Sequence, residues 1–239
     1  MSTVSKPKHH IKMIFVVVFV ECLLLIISNA AYAEPYLQLD ADPAIYVGPP
    51  EASTVTTSDV FTLYALVNSK KGSPIGTFYI SVAILPKLDT AADLGSFSFA
   101  GTTVNVTTDM EYGVPPLATL TWPTPDPTLP PHYPFPTYFT EFKFTNPSLR
   151  ANLYDVQETP GLPTPNPSGA LYYETFLVDA SLLSNEYNLH IDLYTRDING
   201  DFDEKAPFSH DVTHTPVPGA LLLGLLGMGV ASVKLRKHA

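Results

Sequence analysis

The residues best equipped for chemistry lie in one acidic stretch near the C-terminus, Asp197-Ile198-Asn199-Gly200-Asp201-Phe202-Asp203-Glu204. Asp197, Asn199, Asp201, Asp203 and Glu204 set side-chain oxygens at nearly every second position, and such a run can curl around a hard cation, calcium being the cofactor it would take. It is not an EF-hand loop, because the sixth position holds Phe202 instead of glycine and the twelfth holds Phe208 instead of glutamate. Asn199-Gly200 is also the leading signal for a two-residue hairpin turn. Two readings therefore stand side by side, a solvated acidic hairpin and a calcium site.

Close behind come Ser209-His210-Asp211 and His214. The first three have the residue types of a nucleophile, base and orienter, but consecutive residues cannot converge as a catalytic triad does. No Gly-x-Ser-x-Gly elbow, His-Glu-x-x-His motif or phosphate-cradling glycine loop occurs. His210 and His214 are four apart, but Pro216 follows closely and argues against a helix there. Zinc at this pair would need a third ligand, with His190 or Asp192 as the candidates. Trp122, Tyr133, Phe135 and Tyr138 surround a proline-rich stretch and offer either a sugar-stacking platform or rings that staple a long loop to the core. Glycosidases need two facing acids, and sequence does not say which of the many acids face each other. No catalytic residue is assigned, and the domain is expected to be non-enzymatic.

The elements that must hold these groups are strands. Asp59–Asn68 puts Phe61, Leu63, Ala65 and Val67 on one face, and Thr77–Leu85 does the same with Phe78, Ile80, Val82 and Ile84. Tyr187–Tyr194 alternates, with Tyr187, Leu189, Ile191 and Leu193 facing in and Asn188, His190, Asp192 and Tyr194 facing out. Leu171–Val178 is a further β-rich run. Residues 114–136 contain nine prolines and 159–167 four more. Proline cannot donate to a sheet ladder, so both stretches are loops or edge segments. The pattern predicts an all-β fold, a β-sandwich of antiparallel strands with proline-rich loops, flanked by an N-terminal signal helix and a C-terminal hydrophobic helix.

Charge and the two ends speak to location. Of 13 Lys and Arg and 23 Asp and Glu, only seven basic residues but 22 acidic ones fall in 34–215, which gives 7 − 22 = −15 for that segment. A body this acidic repels a phosphate backbone, so no nucleic-acid partner is expected. Cys22, the single cysteine, leaves that segment without a thiol or disulfide. Residues 1–33 read as a signal peptide: Lys6, Lys8 and Lys12, then an apolar run, then Ala31-Tyr32-Ala33, whose small Ala31 and Ala33 fit signal peptidase. Residues 216–239 read as a sorting and anchor segment: Pro216-Val217-Pro218-Gly219-Ala220, an apolar Leu/Gly run, and a basic stop at Lys234, Arg236 and Lys237. About 15 apolar residues rise roughly 22 Å as a helix, short of a full hydrocarbon core and suited to a transient membrane anchor.

This three-part tail resembles the PEP-CTERM sorting signal. The resemblance carries over Pro216 and Pro218; Thr215 and Val217 stand where the commoner Val-Pro-Glu-Pro form has valine and glutamate. It implies sorting by an exosortase-like membrane transpeptidase of exopolysaccharide-making Gram-negative bacteria. The stretches Leu189-His190-Ile191-Asp192-Leu193-Tyr194 and Ala206-Pro207-Phe208-Ser209-His210-Asp211 resemble the choice-of-anchor N family, which implies an extracellular β-rich domain over 34–212 and no known activity. The expectation is an exported cell-envelope or matrix protein with a structural or adhesive role, and exopolysaccharide as its polymer partner. A carbohydrate- or calcium-binding surface module and a secreted hydrolase are the alternatives.

Overall fold

The structure is a computed structural model that describes residues 34–48, 53–85, 93–119 and 136–216. From Pro35 onward these belong to one compact unit. Ala31, Ala33, Trp122, Tyr133, Phe135, most of the sorting motif (Val217 to Ala220) and the basic stop (Lys234, Arg236, Lys237) lie outside the described residues, as do both expected flanking helices. Among the described residues no helix is long and apolar enough to cross a membrane.

The fold is mostly β. In chain order the strands are β1 (Leu37–Asp42), β2 (Ile45–Val47), β3 (Ser53–Thr56), β4 (Val60–Asn68), β5 (Thr77–Leu85), β6 (Ser96–Phe99) and β7 (Thr102–Asn105). There follow β8 (Glu111–Gly113), β9 (Thr137–Thr145), β10 (Leu149–Ala151), β11 (Leu171–Asp179), β12 (Asn188–Arg196), β13 (Phe202–Lys205) and β14 (Val212–His214). One sheet runs β1-β4-β11-β6-β7, with β10 also on β11; the other runs β2-β3-β14-β12-β5-β9-β8, with β13 also on β12. The pairs are antiparallel except β14 with β3.

The three alternating runs and the β-rich run Leu171–Val178 are strands β4, β5, β12 and β11, in nearly the expected bounds. One buried cluster draws on both sheets: Leu37 and Leu39 of β1 and Phe61, Leu63 and Val67 of β4 from the first, Phe78, Ile80, Val82 and Ile84 of β5 and Leu189, Ile191 and Leu193 of β12 from the second. Each such side chain contributes roughly 1.5–3 kcal/mol on burial. Aromatic rings add geometry: Phe99 of β6 lies on Phe142 of β9 with centroids 4.0 Å apart and on Phe176 of β11 at 5.1 Å. Tyr138, once a candidate for a sugar platform, belongs to this core at 4% exposure.

A second, smaller cluster covers the other face of the first sheet. Tyr64, Leu66, Leu171 and Tyr173 pack there against Ala151 and Val156, with Leu153 and Tyr154 alongside. The segment after β10 is pinned by the polar side of β1. Gln38 donates to the Tyr154 carbonyl and accepts from Val156 N–H, both at 3.1 Å. Asp40 accepts from the Tyr154 hydroxyl at 2.8 Å, from Ala41 N–H at 2.8 Å and from Gly161 N–H at 3.0 Å. Burial lifts the Asp40 carboxyl to about 7, outweighing the donors that favour its charged form.

Candidate metal centre

The acidic stretch forms the connection between β12 and β13. Asp197 accepts from Asn199 N–H at 2.8 Å and Asp201 N–H at 2.9 Å, and its other oxygen accepts from the Asn199 amide at 3.1 Å. Gly200 takes φ of +88°, the left-handed region that glycine enters without a Cβ clash. Desolvation pushes the Asp197 carboxyl up, but the hydrogen bonds together outweigh it and hold the group below its usual range. Asp197 is thus committed to the turn. Asp203 and Glu204 are successive residues of β13 and so point to opposite faces. No three of the stretch's carboxylates come within 4.8 Å of one another among the described residues. The segment takes the hairpin connection that Asn199-Gly200 signals.

The histidines part company as well. His210 does not bond Asp211 beside it. Its Nε2 lies 3.2 Å from Asp155 Oδ1, while Nδ1 faces Ser209 Oγ at 2.9 Å. This chain ties the 3-10 turn Phe208–His210 to the segment pinned by β1. His214 is 1% exposed, stacks on Phe61 and lies 3.4 Å from Asp59. Burial pushes both imidazoles down, against the pull of their aspartates. The two histidines therefore serve separate contacts and do not share a ligand.

What converges instead is His190, Asp192 and Asp211, one potential ligand atom from each lying within 4.8 Å of the others. His190 and Asp192 alternate along β12 on the face away from the core. That face was expected to meet solvent, yet His190 and Asp192 are each 6% exposed and Tyr194 is fully buried. The reason is local cover. Tyr79 of β5 stacks on Tyr194 at 5.6 Å, Phe202 of β13 meets its edge at 5.0 Å, and Arg196 bridges to Glu141 at 2.7 Å above them. Asp211, 2% exposed, arrives through topology: β14 pairs with β12 so that Val212 faces Ile191, which sets the residue before β14 across from Asp192 and on the face that carries His190.

The distances within this group are distinctive. His190 Nε2 is 3.4 Å from Asp192 Oδ1 and 3.6 Å from Asp211 Oδ2. Charge-assisted N–H···O bonds run about 2.7–2.9 Å. Ligand atoms held about 2.0–2.2 Å from a tetrahedral ion stand roughly 3.3–3.6 Å apart. The other ring nitrogen, Nδ1, faces the Thr213 hydroxyl at 3.1 Å, and Thr213 in turn faces Ser53 at 3.4 Å. That contact fixes the ring and directs Nε2 at the two acids. Lys205 supplies a positive charge near Asp192, while its ammonium sits 4.0 Å from the Phe208 ring centre and burial lowers its pKa.

The sequence offers His190 or Asp192 as a third ligand for His210 and His214, and Asp211 as part of Ser-His-Asp, without pointing to the three as one group. The available signal was two titratable residues alternating against an apolar strand face. No family model matches the chain, and no curated protein or solved structure is found to match it.

Proposed function

We propose that this chain is an exported, non-enzymatic protein of the cell envelope or extracellular matrix, a β-sandwich domain delivered by a cleaved leader and a PEP-CTERM-like tail. The supporting observation is where the described strands lie. The first of them opens at Leu37, shortly after Ala33, and the last closes at His214, just before Pro216. The described strands therefore fit between the two points at which processing enzymes would cut. Two packed sheets around the shared apolar cluster are the architecture this reading takes.

Signal peptidase would cut after Ala33. The apolar run before Lys234 would then hold the chain in the membrane until an exosortase-like transpeptidase acts near Pro216–Gly219 and releases the domain to the surface or its exopolysaccharide. Deleting residues 216–239 and fractionating the cells tests this. The truncated protein is expected in the periplasm or medium, with the intact protein in the surface fraction. An unchanged distribution would refute the tail as an address.

A further inference from the structure

We propose that His190, Asp192 and Asp211 bind a divalent transition-metal ion of the zinc class, which ties β14 to β12. The argument begins with charge. Asp192 and Asp211 bring two carboxylates together at 6% and 2% exposure, and paired acids in a poorly solvated place repel unless a cation stands between them. Lys205 places a positive charge near Asp192, and within the group itself the His190 ring lies at 3.4 and 3.6 Å from the two acids. Those separations are long for the hydrogen bonds of an imidazolium and match co-ligands of one tetrahedral ion. The Thr213 hydroxyl on Nδ1 supplies the outer-shell contact that metal-binding histidines use to fix their orientation.

A second observation comes from the neighbouring strand. Ser81 of β5 lies directly across from Asp192 in the β12–β5 register and shares its face of the sheet. It is 1% exposed, and its hydroxyl has no hydrogen-bond partner among the described residues. A buried hydroxyl without a partner is costly. Beside an ion carrying a water as its remaining ligand, this hydroxyl gains one.

The ligand types choose the metal. Calcium takes six to eight oxygens and magnesium prefers oxygen and water, whereas one imidazole with two carboxylates suits zinc and its first-row neighbours. The buried setting makes the ion a structural one, taken up as the strands close.

The test uses the full chain, stripped with EDTA and dialysed, then melted with zinc, manganese, calcium or magnesium chloride. Zinc at about a hundred times its Kd is expected to raise Tm by roughly 5–10 °C and to bind as a single equivalent by elemental analysis, with calcium and magnesium inert. Asp211→Asn, which keeps the side-chain shape, is expected to abolish both effects, and this separates the site from loose binding at His9 and His10. Cobalt added to the unmutated chain provides an independent reading, since a nitrogen–oxygen site near tetrahedral gives visible absorption bands. Zinc binding that persists in Asp211→Asn, an equal response to calcium, or cobalt without those bands would overturn the proposal.

Discussion

Asp40 and Asp211 are both buried aspartates, yet their surroundings could hardly differ more. Asp40, on the outer side of β1, is met by the Tyr154 hydroxyl and by the Ala41 and Gly161 N–H groups, all within 3.1 Å. Asp211, beside β12, meets another acid and an imidazole at 3.6 Å. The first is a polar clasp whose acceptor is matched by donors. The second brings like charges together at spacings that suit a shared ion. Burial and charge alone do not separate a structural group from a candidate site; the identity and distance of the partners do.

The largest expected effect falls on the clasp. Asp40→Ala removes the acceptor for a buried hydroxyl and the Gly161 N–H, and is expected to cost about 3 kcal/mol or more in urea denaturation, with or without zinc. A loss that zinc repairs would break the contrast with Asp211. Next comes Asp211→Asn, expected to lose about 2–3 kcal/mol relative to the unmutated chain in saturating zinc and little in EDTA. An equal loss in both buffers would make Asp211 another structural clasp.

The third prediction concerns pH. Asp40 has a raised folded pKa of about 7, so its contribution is present below the unfolded value near 3.9 and is lost as pH rises through about 7. His210 and His214 are shifted down, so theirs is present above about 6.5 and lost as pH falls. In the unmutated chain the two trends oppose each other. Asp40→Asn is expected to leave the histidine trend alone, so that urea midpoints rise steadily from pH 5 to 7. A flat profile in that variant would remove the histidine trend, and a profile unchanged from the unmutated chain would remove the role given to Asp40. The smallest effect belongs to the exposed hairpin: Asp201→Asn should change stability by less than about 0.5 kcal/mol and leave the zinc response intact. A calcium-dependent Tm lost in that variant would instead restore a cage to Asp197–Glu204.

Alternation made β4, β5 and β12 readable, because Phe61 to Val67, Phe78 to Ile84 and Leu189 to Leu193 recur at every second position, while β11 was readable from its β-rich composition alone, with apolar residues on both faces. β1 escaped notice although Leu37, Leu39 and Ala41 alternate, because Gln38 and Asp40 look like a solvent face when the segment that covers them is remote in sequence. The same blindness applied to His190 and Asp192. Their face of β12 was read correctly, but its cover comes from β5, β13 and the approach to β14. Asp211 joins them only through a three-residue strand. So short a pairing leaves little periodicity to detect, and its register is set by tertiary packing. The Asn199-Gly200 turn was legible because its chemistry is local.

One consequence of β14's position concerns force. This last strand is not at an edge; it lies between β3 and β12, parallel to the former, with Thr54 N–H on the Asp211 carbonyl at its start and Thr215 N–H on the Thr56 carbonyl at its end. A tether pulling from Pro216 along the strand would load both ladders in shear, so their bonds must yield together and not peel one by one. A surface domain held by its C-terminus would thus meet drag or shear flow at an interlocked joint.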